Sequence, residues 1–208
     1  MVWDWNGTIL DDNEAVVAAV NTVCATFGRA PIDLPYWRSI YRRPLLDCYA
    51  ELLGRQLSQQ DWADIDRGYH AAYRALLSTT RLTPGIPDEL RRWQAAGRTQ
   101  SLLSMWFHDE LVALVAELGL TGLFDRIDGL RMDAGGHGKT AHLAEHLAAL
   151  RVDPADVLVV GDVLDDAAAA QAAGARCVLV TTGVTDRATL RTSGVPVVDS
   201  VAEALLLT

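Results

Sequence analysis

The chain has almost no lysine. Lys139 stands alone against 17 arginines, and the acids are as lopsided, with 20 Asp and 7 Glu. The formal net charge is −9 over 208 residues. That balance lacks the basic footprint of a nucleic-acid binder, so no nucleic-acid partner is expected. The three cysteines, Cys24, Cys48 and Cys177, are widely spaced and form no Cys-x-x-Cys pair. This excludes a cysteine-based zinc motif and fits three buried thiols in a reduced, cytoplasmic protein. No apolar run approaches the ~18–20 residues of a membrane span, so no membrane partner is expected. The opening Met-Val-Trp-Asp-Trp-Asn-Gly-Thr has no basic segment followed by an apolar one, and no secretion signal is expected. Disorder is excluded too, since half of the residues are hydrophobic. The length suits one domain with room for an insertion and needs no staples to bury a core. Codon bias is a sufficient reason for arginine over lysine, so the position of Lys139 decides what it means.

Hydrophobic spacing divides the chain. Residues 1–5 read as a short strand ending before Gly7. Residues 13–28 carry apolar positions at helical spacing, from Val16 to Phe27, and stop at Gly28. Further helices are predicted near 36–41, 44–54 and 59–78, with no buried strand between 13 and 80. After Pro84 and Pro87 the pattern alternates. Helices are predicted at 86–96, 107–118, 139–150, 165–173 and 186–192. Strands are predicted at 98–104, 127–132, 157–161, 176–180 and 196–198. Such alternation indicates a parallel sheet covered on both faces. The expected fold is therefore α/β: a Rossmann-like parallel sheet core, 1–13 and 82–208, with an all-helical cap at 14–81 inserted after the first strand.

In an open parallel sheet the ligand site lies at the carboxyl ends of the strands. The first strand ends in Asp4-Trp5-Asn6-Gly7-Thr8, strand 98–104 in Ser104, and strand 157–161 in Gly161-Asp162, with Asp165 and Asp166 just beyond. Lys139 opens a helix behind Gly135-Gly136-His137-Gly138. One at a time these are ordinary turn residues. Together they bring carboxylates, a hydroxyl and the only lysine to one rim. A Mg²⁺ ion suits such carboxylates, and lysine with loop amides suits a phosphate.

This ordered set resembles the haloacid dehalogenase superfamily, in the branch with a helical cap and closest to phosphoglycolate-phosphatase-like members. The family's Asp-x-Asp-Gly-Thr is matched by Asp4 to Thr8 with one departure. Its strand-ending Ser or Thr is matched by Ser104, its helix-opening Lys by Lys139, and its Gly-Asp-x-x-x-Asp by Gly161 to Asp166. The resemblance spans residues 1–182. It implies that Asp4 is a nucleophile attacking phosphorus, in a Mg²⁺-dependent phosphatase acting on a small phosphorylated metabolite. It implies metal ligation by Asp4, the Asn6 carbonyl, Asp162 and Asp166, with Asp165 the competing candidate. Ser104, Lys139, Gly7 and Thr8 would hold the phosphoryl oxygens.

The departure is Asn6. The family's phosphatases carry there an Asp that protonates the leaving group and activates water, and an amide does neither. Loss of a general acid/base typically costs on the order of 10²–10⁴-fold, so slow turnover is expected. Asp11 and Asp12 are nearby carboxylates without family support for that job. A non-catalytic phosphometabolite sensor is the alternative that Asn6 favours and the retained Asp4 opposes. A P-loop enzyme fails because Asp133 stands where the signature needs glycine. In the cap, Arg42 and Arg43 are candidates for gripping an anionic tail. Trp106 reads as packing, and His108 as a possible border of the pocket. His142, Glu145 and His146 formally match a zinc pattern, but a solvated helix face is the preferred reading.

Overall fold

The computed structural model describes residues 1–131 and 138–207. The Gly135-Gly136-His137 stretch and residue 132, the expected end of one strand, lie outside these. In chain order the strands are β1 (Val2–Trp3), β2 (Leu10–Asp11), β3 (Arg81–Leu82), β4 (Ser101–Phe107), β5 (Ile127–Leu130), β6 (Leu158–Gly161), β7 (Arg176–Val180) and β8 (Val197–Val198). The helices are α1 (Asn13–Thr26), α2 (Leu34–Ile40), α3 (Leu45–Leu53), α4 (Gln59–Leu76), α5 (Ile86–Ala95), α6 (His108–Glu117), α7 (Lys139–Leu150), α8 (Leu164–Ala173), α9 (Arg187–Arg191) and α10 (Val201–Leu205).

Six strands form a parallel sheet in the order β5-β4-β1-β6-β7-β8. β6 is apolar and buried throughout, as a strand covered on both faces must be. β1 has two residues, yet it is central: Val2 lies opposite Ser101 and Val159, and Trp3 opposite Leu102 and Val160. From β1 the chain builds outward through β4 and β5, then returns to β6 on the other side. The reversal falls at β1, where an open sheet leaves a crevice for ligand.

Two boundaries differ from the sequence reading for local reasons. The predicted strand 98–104 is Ser101–Phe107. Gln100 spends its side-chain amide on the carbonyls of Leu90 and Leu123, both at 2.9 Å, and so anchors a connection. Trp106 and Phe107 then extend the strand past Ser104. Ser104 therefore lies within β4, where the pairing with β5 shifts register between Leu103 and Phe107. The C-terminal α10 was not predicted. Ser200 caps it by accepting from the Glu203 N–H at 3.2 Å.

The chain divides into two compact units, Met1–Asp11 with Leu82–Gly183 and Arg187–Thr208, and Asp12–Arg81 with Val184–Asp186. In the first, Leu143 and Leu147 of α7 and Ala167, Ala169 and Ala170 of α8 join Val2, Leu103, Val159 and Leu179 in one buried cluster. In the second, α1 packs against α4 and α2. Tyr73 donates its hydroxyl to buried Asp12 at 2.6 Å. Trp37, Tyr49 and Trp62 make successive tilted and edge contacts with centroids 6.0 and 6.2 Å apart. No helix among the described residues is long and apolar enough to cross a membrane.

Candidate active site

The site begins where β1 stops. Asp4 takes the last sheet bond, its N–H donating to the Val160 carbonyl at 2.8 Å. The chain then turns sharply, because the Trp5 carbonyl accepts from the N–H groups of Thr8, Ile9 and Leu10 at 3.3, 3.0 and 2.8 Å. Gly7 makes this turn at φ +71°, where a β-carbon would sit 2.6 Å from Asp162 Oδ2 and 2.7 Å from Gly183 Cα. Thr182 fastens the turn from above β7 by donating its hydroxyl to the Gly7 carbonyl at 2.6 Å. The first motif is thus pressed directly onto the side chain that follows β6.

Asp162 and Asp166 arrive from β6 and α8. Asp166 is fully buried, and its Oδ2 accepts from the N–H groups of Asp162 at 3.2 Å and Val163 at 3.1 Å. It needs Gly161, since a β-carbon there would overlap the Asp166 carboxyl. One oxygen each from Asp4, Asp162 and Asp166 lie within 4.8 Å of one another, and all three residues are buried. Asp165 is only partly buried and is not in this group.

Lys139 opens α7 and places Nζ against Oδ1 of both Asp4 and Asp166. Burial pushes the Asp4 carboxyl up to about 6, against the pull of the Lys139 ammonium. Burial would lower Lys139, but the charges of Asp166 and Asp4 outweigh it and hold the lysine well above its ordinary value. Three carboxylates facing one ammonium leave a formal excess of −2 when all are ionised. A buried excess of that size demands a counter-charge. An all-oxygen donor set suits a hard divalent cation. The residues present therefore fit Mg²⁺.

Lys139 also bears on stability. In Lys139→Met, without divalent metal, Asp4 and Asp166 lose their shared cation. We expect the midpoint of urea unfolding to fall by an amount equivalent to about 3–5 kcal/mol, the usual result of breaking a buried pair from one side. A change below about 1 kcal/mol would mean that the pair contributes no more than an exposed one.

The remaining sequence candidates are placed as follows. Ser104 is 1% exposed, and its Oγ accepts from the Trp106 N–H at 3.0 Å. Thr8 is fully buried with its hydroxyl 3.4 Å from Asp162 Oδ1, so its side chain addresses Asp162. Asn6 is partly buried in the turn and bridges to Leu10 through the backbone. Trp106 is buried, as packing requires. His108 Nδ1 accepts from the Gly129 N–H at 3.2 Å, and its Nε2 lies 3.0 Å from the Arg131 guanidinium. In the second unit, Arg42 turns back on its own surroundings, meeting the Ile40 carbonyl at 2.9 Å and Glu51 at 2.8 Å. Arg43 is exposed.

The histidine pair on α7 corrects the sequence reading. Glu145 is exposed, but His146 is 1% exposed and does not belong to a solvated face. Its Nδ1 lies 2.7 Å from Asp128 Oδ2 and its Nε2 lies 2.8 Å from Ser101 Oγ. Both ring nitrogens are engaged, which also removes the zinc reading. The available signal was position. His146 falls in the apolar stripe of α7 beside Leu143 and Leu147, not among its polar residues.

The chain is similar to known proteins in sequence and in fold. The family model described as "haloacid dehalogenase-like hydrolase" matches residues 1–174. The chain is 29% identical over 200 residues to the phosphoglycolate phosphatase of Synechococcus elongatus, covering 91% of this chain and 87% of the relative. It is 27% identical over 192 residues to phosphoglycolate phosphatase 1 of Pseudomonas aeruginosa, covering 88% and 69%. The crystal structure of a predicted phosphatase from Clostridium acetobutylicum superposes with TM-score 0.84 over 100% of this chain and 97% of that one, at 19% identity, a likeness of fold. The chain belongs to the haloacid dehalogenase-like hydrolase family.

Proposed function

We propose that this hydrolase is a Mg²⁺-dependent phosphatase that cleaves a small phosphorylated metabolite through a phosphorylated Asp4. The observation that carries the proposal is the convergence of Asp4, Asp162 and Asp166 on one point with Lys139 against two of them. Asp4, the Asn6 carbonyl, Asp162 and Asp166 would hold the ion. Mg²⁺ supplies charge neutralisation for a phosphoryl oxygen and helps orient it.

The chain's own groups do the rest. The Asp4 carboxylate attacks phosphorus, the P–O bond to the substrate breaks, and the leaving oxygen departs with the bonding pair. Lys139 neutralises the approaching dianion and the charge that develops on it. Ser104 donates to a phosphoryl oxygen, while the N–H groups of Gly7 and Thr8 stay bonded to the Leu10 and Trp5 carbonyls and hold the turn that carries Asp4. Water then attacks the phosphorus of the acyl phosphate, releasing inorganic phosphate and restoring the carboxylate. Protons lost and gained in both steps pass to and from water, because Asn6 exchanges none.

The helical unit, residues 14–81 in the sequence reading, acts as the cap that sets the substrate and excludes water. Arg42, paired with Glu51, and Arg43 are the candidates for gripping an anionic tail. The two relatives named for phosphoglycolate make that ester the first to test. The three buried free thiols support a reduced, cytoplasmic setting.

The test is a screen of phosphorylated metabolites, phosphoglycolate included, with phosphate release as the readout. Thorough chelation with EDTA is expected to drop the rate to below about a tenth, with recovery on adding Mg²⁺. Full activity after chelation would remove the metal from the proposal.

A further inference from the structure

The four buried residues of α7 are Lys139, Leu143, His146 and Leu147. At about 100° per residue, a step of seven returns to the same side of the helix and advances about 10 Å. Lys139 and His146 therefore stand on one face, and both ends of it are polar. Between them Leu143 joins Leu147 in the buried cluster with Leu103 and Val159. The Lys139 end meets Asp4 and Asp166. The His146 end meets Asp128 of β5 and Ser101 of β4, and Asp128 also accepts from the Arg126 guanidinium.

The chemistry of this lower cluster is well defined. Burial would push Asp128 up, but its hydrogen bonds to His146 and Arg126 outweigh that and hold it well below the usual carboxylate range. An ionised carboxylate only accepts, so Nδ1 donates to Asp128, and Nε2 is hydrogen-bonded to the Ser101 hydroxyl. The order Ser–His–Asp resembles a hydrolytic triad. Ser101 is 2% exposed and lies at the amino end of β4, so no substrate reaches it. A set of satisfied, buried polar groups fixes a unique packing instead.

We propose that His146, held by Ser101 and Asp128, is a positioning residue for Lys139: it pins the far end of the α7 face to β4 and β5 and so sets where the lysine enters the site. A helix packed only through leucines can slide or pivot among similar arrangements. Two polar anchors about two turns apart leave it one register. The inference rests on the role given to Lys139 above.

The test uses the full chain with acetyl phosphate in Mg²⁺. His146→Leu is expected to lower kcat roughly 10–100-fold, the scale of a small misplacement of a reacting group. His146→Gln, which keeps a donor and an acceptor, is expected to recover most of it. In a Lys139→Ala background, His146→Leu should cost nothing further, because no ammonium remains to be misplaced. A loss of equal size in that background would overturn the proposal. Hydrogen exchange gives a readout independent of turnover. The amides of Thr140–Leu143 are expected to exchange at least about tenfold faster in His146→Leu, with those at the end of α8 unchanged. Unchanged exchange at 140–143 would also overturn it. If His146→Leu does not fold, Ser101→Ala is read in both assays. An inert wild type would sink the phosphatase reading and leave the exchange result to judge His146.

Discussion

Asp4→Asn is expected to lower phosphate release from acetyl phosphate by roughly 10⁴–10⁶-fold, the range seen when a hydrolase loses its nucleophile. The amide keeps the shape of the carboxylate and offers no oxygen nucleophilic enough to open a phosphate ester. The fold should survive the change. Lys139 retains Asp166 as a partner, and removing one of three mutually repelling carboxylates relieves charge that burial already disfavours. The melting temperature of the variant should therefore match or exceed that of the parent. Acid-quenched wild type should carry phosphate on Asp4, and the variant should carry none. A variant that folds and still turns over within tenfold of wild type would remove Asp4 from the chemistry. A wild type that binds inorganic phosphate with neither turnover nor an Asp4 adduct would be a sensor.

The parts of the molecule visible in the sequence are those with local causes. β7 is predicted at residues 176–180 and observed there, because a short apolar run flanked by Gly174 and a polar loop leaves little choice. Asp4, Asp162 and Asp166 were visible as candidates because parallel topology sends strand ends to one rim, where the three carboxylates lie together. What escaped was long-range. Strand 98–104 shifted by three residues because Gln100 is committed to carbonyls of α5 and of the segment before β5, which no window around it contains. His146 was misread because its partners are 18 and 45 residues away. The need for glycine at 183 is likewise invisible locally, since the obstacle is the Asp162 side chain. α10 is different. Ser200 three residues before Glu203, ahead of an apolar stretch, is a helix-start signature in the sequence itself, and Ser200 Oγ accepts from the Glu203 N–H.

The lone lysine separates accident from design in the composition. Seventeen arginines serve on surfaces and in pairs such as Arg55 with Asp61, where a planar fork suits a carboxylate. At position 139 a guanidinium would have to fit between two buried aspartates that converge on one atom. A compact ammonium offers a point charge with donors in several directions, and it fits where a fork does not.

Asn6→Asp is expected to raise turnover, most for esters whose leaving oxygen is a poor anion. The substitution is nearly isosteric. The surrounding turn is fixed by three N–H groups on the Trp5 carbonyl and by the bond from the Gly7 N–H to the Leu10 carbonyl at 2.9 Å, so the backbone has no reason to move. What changes is that a proton can now be given and taken. With an alkyl phosphate the leaving alkoxide needs that proton, and kcat should rise by roughly 10²–10⁴-fold. With p-nitrophenyl phosphate the phenolate leaves unaided, so the first step should change little. Hydrolysis of phosphorylated Asp4 still needs a base for the attacking water. Wild type should therefore show a stoichiometric burst of p-nitrophenolate followed by slow turnover, and Asn6→Asp should abolish the burst by speeding the second step. The added carboxylate raises the charge excess of the metal-free site, so the variant is expected to be less stable in EDTA and to gain more from Mg²⁺. A folded, metal-binding Asn6→Asp that is no faster on alkyl esters would show that the missing proton does not limit this enzyme. The burst would then have to be absent from wild type as well.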